Sequence, residues 1–188
     1  MSKIILIFTI FTTSIFSQSN CNLRINKIGN IPIVKSKDLE CIAKESKNKN
    51  TIIYSFGIWC SPCKLHLKNA IDLKKKYDIN LIILLVEKQK DSIISKTIDY
   101  LKNIDSKINI AVIDDSYGKR RSKKYRKFLK DITPKKFENL DGMSKYIVLD
   151  KKGQVIMVTT WKDNRKYDWK DDSNMIREKI LPLIEENK

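Results

Sequence analysis

Short strand-like runs alternate with stretches of helical periodicity along most of the chain, and this alternation restricts the fold more than any other feature. Residues 51–56 are β-branched and aromatic, and residues 80–86 are almost wholly apolar, as expected for a central strand covered on both faces. Between such runs apolar residues recur at helical spacing, for example over residues 91–104. We therefore predict an α/β fold with helices on both faces of a central sheet.

The C-terminal part of the chain predicts a different local arrangement. Two apolar runs, residues 145–150 and 154–161, flank Lys151-Lys152-Gly153 and indicate an antiparallel β-hairpin, which makes the sheet mixed. Ser173 can begin a last helix, which Pro182 should bend or shorten. Hydrophobic residues are 41% of the 188, with only 5 Gly and 4 Pro, which excludes collagen-like and Pro/Gly-rich disordered classes.

The N-terminus has the pattern of a secretory signal. Lys3 provides a positive charge, and the apolar stretch at residues 4–16 is too short for a membrane span of about 20 residues. We predict a signal peptide at residues 1–18, an N-terminal extension at 19–50 with an edge strand or irregular arm and a short helix, and one further domain at 51–188. The mature protein is expected to be exported, to the periplasm or the extracellular space.

An oxidising compartment changes how the four cysteines are interpreted, because an even number then favours disulfides. Cys21 and Cys41 are candidates for a structural disulfide; the alternative is two unrelated thiols. Lipid anchoring at Cys21 is the less favoured alternative, because Gln18-Ser19-Asn20 does not have the residue pattern that such sites show.

The segment Trp59-Cys60-Ser61-Pro62-Cys63 carries the strongest chemical signal in the sequence. Its first cysteine lies where a strand gives way to a helix, so unpaired backbone N–H groups and the helix dipole favour a thiolate there. Such surroundings lower a cysteine pKa from about 8.5 into the range of roughly 3.5–7.5. We therefore expect redox chemistry, with Cys60 as the accessible nucleophile and Cys63 as the sheltered resolving thiol.

Two other interpretations of the Cys60–Cys63 pair are weaker. Half of a zinc site is disfavoured because no second Cys/His pair has ligand spacing and the chain contains one histidine. A purely structural disulfide between the two is the other alternative. We expect no bound metal and no organic cofactor, because a dithiol/disulfide pair is itself the redox group.

Residues 56–63, with the sequence FGIWCSPC, resemble the active-site segment of the thioredoxin superfamily. Together with the signal-like N-terminus and the hairpin sequence IVLDKKG at residues 147–153, they look most like exported TlpA/ResA-type thiol–disulfide oxidoreductases. The resemblance covers residues 51–188. It implies a thioredoxin-like fold with a C-terminal β-hairpin and helix, protein thiols and disulfides as partners, and a membrane protein as electron donor. No run of about 18 apolar residues follows the N-terminal segment, so we expect the mature protein to be soluble or peripherally associated with a membrane. We also expect a monomer.

The resemblance also implies roles for individual residues. Trp59, Ser61 and Pro62 would contact the substrate, whereas Trp161 and Trp169, outside this segment, are expected to be packing residues. The family usually has a cis-proline before the strand that opens the hairpin, and that position falls on Ser144, preceded by Met143. We expect both residues to line the site. The Met143–Ser144 bond is expected to be trans, because a cis bond before a residue other than proline costs about 2.5–4 kcal/mol.

Two further positions depart from the family. Tyr54 stands where many thioredoxins have a buried acid, and His66 stands where TlpA/ResA-like proteins often have Glu. Because residues i and i+3 share a helix face, His66 is a candidate proton shuttle for Cys63; the alternative is an ordinary helix-surface residue.

A basic segment at residues 118–136 contains ten Lys or Arg residues and one acid, within a chain of net charge +16. The plainest interpretation is a solvated helix face whose opposite side, from Tyr125 to Ile132, packs on the sheet. No nucleic-acid-binding motif accompanies the charge, so we expect no nucleic-acid partner. The alternative function is a non-catalytic thioredoxin-like protein that docks acidic partners through this segment.

Overall fold

The structure, a computed structural model, describes residues 21–185, so the predicted signal peptide at residues 1–18 lies outside the described part. Seven strands and six α-helices follow one another in the order that the hydrophobic pattern predicts. Their bounds are β1 Arg24–Asn26, β2 Ile31–Val34, α1 Ser36–Glu45, β3 Asn50–Phe56, α2 Ser61–Lys76, β4 Ile79–Leu85, α3 Ile93–Ile104, β5 Asn109–Ile113, α4 Arg121–Ile132, β6 Tyr146–Leu149, β7 Val155–Val158, α5 Ser173–Met175 and α6 Leu181–Glu185.

All seven strands form one mixed sheet in the order β1-β2-β5-β4-β3-β6-β7. Strands β2, β5, β4 and β3 run parallel to one another, β1 pairs antiparallel with β2, and β6 joins β3 antiparallel to start the predicted hairpin with β7. β3 is buried along its whole length, because it has a strand on either side and helices on both faces. Its carboxyl end, in the middle of the sheet, leads directly into the Cys60–Cys63 segment.

Two apolar cores cover the two faces of the sheet. Side chains from α2, α3 and the C-terminal helix, including Leu67, Ile98 and Ile180, fill one of them. The other is filled from α1 and α4, by residues such as Leu39 and Phe128. The predicted mixed sheet with helices on both faces, a C-terminal hairpin and a last helix is therefore confirmed.

The N-terminal segment is part of the same sheet. β1 pairs with β2, and β2 pairs in parallel with β5, so residues assigned from the sequence to an extension form one edge of the fold. Cys21 and Cys41 form a disulfide across 20 residues that ties the start of the described chain to α1. Closing a loop of this size stabilises a fold by about 3 kcal/mol, mainly by restricting the unfolded chain.

Two helices differ from the sequence prediction. The helix of the basic segment covers Arg121–Ile132 and not all of residues 118–136, because a short 3₁₀ turn at Asp115–Tyr117 precedes it and the helix ends before residues 133–136. We expected Pro182 to bend or shorten the C-terminal helix; the proline does not end the helix, which continues to Glu185. A π-helical turn at Ile176–Ile180 comes directly before α6, and this wider turn accommodates a residue without an N–H group. Between residues 21 and 185, no helix has both the length and the apolar character needed to cross a membrane.

Candidate active site

The Cys60–Cys63 pair lies at the junction between β3 and α2. A tight turn, in which the Cys60 N–H donates to the Gly57 carbonyl oxygen at 2.9 Å, reverses the chain after β3. Cys60 is the N-cap of α2, and its Sγ accepts a hydrogen bond from the Cys63 N–H at 3.3 Å. Pro62 lies in the first helical turn, where its missing N–H costs nothing. The amino end of α2 therefore points directly at the Cys60 sulfur.

The two cysteines form a disulfide and differ in accessibility. Cys60 retains 7% of its surface exposed and Cys63 retains none. Ser61 and Trp59 are exposed beside them, and the Trp59 side chain folds back so that its ring lies close to Gly57. A reagent that reaches this disulfide from solvent therefore meets Cys60 first.

Ser144 approaches the site from the loop before β6. Its φ of +62° places it in the left-handed region, which costs a residue other than glycine about 1–3 kcal/mol. No cis peptide bond occurs within residues 21–185, so the Met143–Ser144 bond is trans, as expected. The backbone conformation directs the Ser144 hydroxyl towards Tyr54 and His66, and two hydrogen bonds there offset the conformational cost.

A chain of hydrogen bonds runs from the resolving cysteine to His66. The Tyr54 hydroxyl donates to the Cys63 carbonyl oxygen at 2.9 Å and lies 2.8 Å from Ser144 Oγ. Ser144 Oγ lies 2.7 Å from Nδ1 of His66, and Nε2 of His66 lies 2.9 Å from the Trp169 carbonyl oxygen. These contacts lead to the carbonyl group of Cys63 and not to its sulfur. They favour a positioning role for His66 over the proton-shuttle role expected from the sequence.

The hydroxyl hydrogens available in this series of hydrogen bonds restrict the protonation of His66. The Cys63 carbonyl takes the single hydroxyl hydrogen of Tyr54, so Ser144 donates its own hydrogen to Tyr54. Ser144 then has none left for His66, so all of these contacts are hydrogen bonds at the same time only when Nδ1 donates to Ser144 and Nε2 donates to the Trp169 carbonyl. An imidazole with a hydrogen on both nitrogens is a cation.

Asp172 is the buried acid placed to act as counter-ion to the doubly protonated form of His66. Its Oδ2 lies 3.6 Å from Nδ1 of His66 and accepts a hydrogen bond from the Tyr146 hydroxyl at 2.8 Å, while Oδ1 accepts from Asn69 at 2.7 Å. Burial raises the pKa of Asp172, and the positive charge of His66 acts in the opposite direction. The pair joins α2, where His66 lies, to the segment that begins the C-terminal helix.

A second buried acid supports the loop on the other side of Cys60. Glu87, just after β4, accepts hydrogen bonds from the Ile58 N–H at 3.2 Å and the Thr97 hydroxyl at 3.3 Å. Burial raises the pKa of its carboxyl group. Sequence analysis did not identify Glu87, because its link to the site is a single hydrogen bond to a backbone N–H 29 residues earlier.

Two clefts flank the Met143–Ser144 loop. The first, of about 390 Å³, is lined by Pro62, His66, Met143 and Ser144, which the sequence predicted, and by Trp161 and Trp169, which it did not. The second, of about 450 Å³, is lined by Trp59 and again by Met143. Ser61 lines neither cleft. The predicted substrate-contacting residues other than Ser61 thus each line at least one of the two clefts, whereas Cys60 and Cys63 line neither.

The burial expected for two tryptophans is wrong. Their size and apolarity suggested packing residues, but Trp161 is 53% exposed and Trp169 is 56% exposed. Both lie in the polar segment between β7 and the C-terminal helix, where each forms part of the wall of the first cleft. Within residues 21–185, no group of three or more His, Cys, Asp or Glu side chains could hold a metal ion.

Lys145, next to Ser144, is buried and gives the site a pH-dependent stability. Its ammonium group donates to the Thr159 carbonyl oxygen at 2.6 Å. Burial lowers its pKa to about 8, although Asp163, Asp141 and Glu138 act in the opposite direction. Since the pKa of an unfolded lysine is about 10.4, the unfolded chain binds more protons than the folded protein between pH 8 and pH 10.

We therefore expect Lys145 to contribute a rise of about 2 kcal/mol in the free energy of unfolding of the oxidised protein from pH 8 to pH 10. Tyr54, Tyr125 and Tyr146 oppose this rise from about pH 9 upward, because burial raises the pKa of each and the unfolded chain then loses protons that the folded protein keeps. Urea unfolding at several pH values measures this, and Lys145→Met should remove most of the rise. An undiminished rise in Lys145→Met would contradict the assignment.

Comparison with known proteins supports the fold. A scan against models of protein families finds no match, and neither does a search of curated proteins. Among solved structures, a thioredoxin-like protein in its oxidised form matches with a TM-score of 0.51 at 15% identity, over 81% of this chain and 85% of its own. We conclude that the chain has a thioredoxin-like α/β fold, as the resemblance in the sequence implied.

Two other solved structures give lower scores. A thioredoxin-like protein from Porphyromonas gingivalis has a TM-score of 0.49 at 14% identity, over 76% of this chain and 80% of its own. StoA from Bacillus subtilis has a TM-score of 0.39 at 19% identity, over 61% of this chain and 75% of its own.

Proposed function

We propose that this protein is an exported thiol–disulfide oxidoreductase of the TlpA/ResA type, which acts as a reductant through Cys60 and Cys63. The observation that carries the proposal is the Cys60–Cys63 disulfide at the amino end of α2, where the Cys60 sulfur accepts the Cys63 N–H. A sulfur in this position is stabilised as a thiolate, both by that donor and by the helix dipole.

The reaction exchanges one disulfide for another. In the reduced protein the Cys60 thiolate attacks a sulfur of the substrate disulfide, whose S–S bond breaks as a mixed disulfide forms; the departing thiolate takes a proton from water. Cys63 then loses its proton and attacks the Cys60 sulfur, which releases the second substrate thiol. Two electrons have passed to the substrate, and Cys60 and Cys63 are joined. A dithiol on an electron-donor protein, by our proposal one in the membrane, returns the pair to the reduced state.

The surrounding residues have separate roles in this scheme. Trp59, Met143 and Ser144 line the two clefts next to the Cys60–Cys63 segment, where a substrate segment would bind, and Pro62 forms part of the wall of the first cleft. Ser61 lies exposed between the two cysteines and would contact the bound segment. Tyr54, Ser144 and His66 hold the peptide group of Cys63 in place, so the resolving thiol keeps its position while Cys60 is joined to the substrate.

Export and the reductant role rest on the sequence resemblance, and the disulfide at the start of the described chain supports export. Disulfides persist in oxidising compartments, where a structural bridge such as Cys21–Cys41 is stable. A reductant in that setting would keep selected thiols of other exported proteins reduced.

The reduction of insulin by dithiothreitol tests the proposed activity. We expect micromolar amounts of the protein to shorten the lag before the released insulin B chain precipitates, and oxidised glutathione to react with the reduced protein. A matched sample whose cysteines have been blocked with iodoacetamide after reduction serves as the control. Equal lag times with and without the unblocked protein would contradict the proposal.

A further inference from the structure

All three tryptophans of the chain are exposed, and all three border the candidate active site. Trp59 is 46% exposed, Trp161 is 53% exposed and Trp169 is 56% exposed. Tryptophan side chains are mostly buried in proteins, and large exposed aromatic side chains around a cleft are typical of binding surfaces. Gly142 and Met143 line both clefts, so the tryptophans belong to one continuous surface.

A cation lies against each of these rings. The Arg121 guanidinium lies 4.9 Å from the centre of the Trp59 ring, and the Arg165 guanidinium lies 5.9 Å from that of Trp161. Lys170 lies 5.9 Å from the centre of the Trp169 ring. We call this set the tryptophan rim; its members are Trp59, Arg121, Trp161, Arg165, Trp169 and Lys170. A guanidinium stacked on an aromatic ring keeps its N–H groups at the edge, where they can bind a carboxylate.

The cations of the tryptophan rim form no salt bridge with a carboxylate within the described residues. Among the nearby acids, Asp141 pairs with Arg126 at 2.8 Å, Glu138 pairs with Lys162 at 2.5 Å, and Asp172 lies beside His66. Asp168 and Asp171, on either side of Trp169 and Lys170, are exposed and offset the charge of Lys170. Arg121 and Arg165 are the rim cations whose positive charge no ion pair in residues 21–185 neutralises.

Helix α4 extends this positive charge away from Trp59. Lys124 is an exception that the sequence did not reveal: it is buried and donates to the Ile113 carbonyl oxygen and to Asp115, so it does not belong to the basic surface. The other cations of the basic segment are exposed; they are Lys119, Arg120, Arg121, Lys123, Arg126, Lys127, Lys130, Lys135 and Lys136. Such a one-sided field draws an oppositely charged partner towards the adjoining cleft.

We propose that the tryptophan rim binds acidic polypeptide segments, and that the preferred substrates carry Asp or Glu beside the cysteine presented to Cys60. This proposal rests on the proposed function for the disulfide exchange that a bound substrate undergoes. The rings provide apolar contact for the segment, and the cations beside them bind its carboxylates. A second copy of this chain does not fit the surface, because each copy has a net charge of +16.

Three peptides test the charge preference without requiring any chemistry. They share one sequence, contain serine in place of cysteine, and carry Glu, Gln or Lys on both sides of that serine. Tryptophan fluorescence reports binding to the whole oxidised protein. At low salt we expect the Glu peptide to bind about fivefold more tightly than the Gln peptide, and the Lys peptide to bind least tightly. At about 0.5 M salt the preference should shrink, because screening shortens the range of exposed charges.

Two double variants, one in the tryptophan rim and one outside it, test which cations cause the preference for the Glu peptide. Arg121→Gln/Arg165→Gln should reduce the preference for the Glu peptide to less than about twofold. Lys75→Gln/Lys76→Gln, which removes the same charge from the exposed far end of α2, should leave it unchanged. Equal binding of the Glu and Gln peptides, or the same loss in both double variants, would overturn the proposal. So would self-association of the protein in sedimentation that the Arg variants abolish.

The insulin assay separates this proposal from the proposed function. Insulin reduction together with equal binding of the three peptides would overturn the acidic preference alone. Selective binding of the Glu peptide by a protein that exchanges no disulfide would support the docking surface and overturn the oxidoreductase function.

Discussion

Replacing Cys60 with serine is expected to lower the rate of disulfide exchange by a factor on the order of 10³ or more, because a hydroxyl group forms no disulfide with substrate. Cys60 is the sulfur that remains accessible and that accepts the helix N–H, so no other group can take its place. The measurement is insulin reduction by the Cys60→Ser variant beside the unaltered protein. The double variant Cys21→Ser/Cys41→Ser is the control, and it should keep its activity under conditions where it remains folded.

Replacing Cys63 should have a different consequence. Cys63→Ser keeps the nucleophile but removes the thiol that resolves the mixed disulfide, so a covalent complex with the substrate should accumulate and be visible by mass spectrometry. The complex should disappear on reduction and be absent from Cys60→Ser. A stable mixed disulfide on Cys63 in the Cys60→Ser variant would reverse the two assigned roles.

Asp172→Asn is expected to destabilise the protein by about 3–5 kcal/mol, because it leaves the buried His66 cation without its counter-ion. Asparagine keeps the size of the side chain but has one acceptor oxygen, so the loss includes one of the two hydrogen bonds that Asp172 accepts from Asn69 and Tyr146 as well as the charge. Urea unfolding of the oxidised protein at pH 7 measures the free energy. Asp99→Asn, the same change at an exposed position on α3, should cost less than about 0.5 kcal/mol.

A double-mutant cycle tests whether the two charges depend on each other. His66→Gln/Asp172→Asn removes both charges and should be more stable than the sum of the two single losses predicts, by at least about 1 kcal/mol. Strict additivity would show that His66 is neutral in the folded protein. It would also contradict the hydrogen count through Tyr54 and Ser144.

Local sequence patterns predicted the secondary-structure elements and the position of the Cys60–Cys63 pair. The apolar run at residues 80–86 identified a buried strand, which the structure confirms as β4, Ile79–Leu85. The C-x-x-C spacing after a strand-like run placed Cys60 at the start of a helix, where the structure has it. These features depend on residues that are close together in sequence, so they can be identified from one amino-acid sequence without a structure.

The contacts that the site residues make with distant parts of the chain could not be predicted from local sequence patterns. Asp172 and the Trp169 carbonyl contact His66 across more than 100 residues, and no periodic pattern indicates such a meeting. The sequence suggested that Lys124 is one of the exposed charges on the basic face of α4. It is buried because carbonyl groups at the ends of β4 and β5 and the Asp115 carboxylate converge on its ammonium group. That convergence depends on the tertiary arrangement of three separate segments.

The equilibrium redox titration of the four cysteines tests the central claim most directly. The protein is equilibrated in dithiothreitol or glutathione buffers of graded potential, its thiols are trapped with a maleimide, and each cysteine is assigned by peptide mass spectrometry. We predict that Cys60 and Cys63 titrate together as a two-electron couple near the thioredoxin end of a scale from about −270 mV to about −120 mV. Cys21–Cys41 should stay oxidised to lower potentials, as structural disulfides do. A Cys60–Cys63 pair that stays oxidised together with Cys21–Cys41 at every potential would contradict the account.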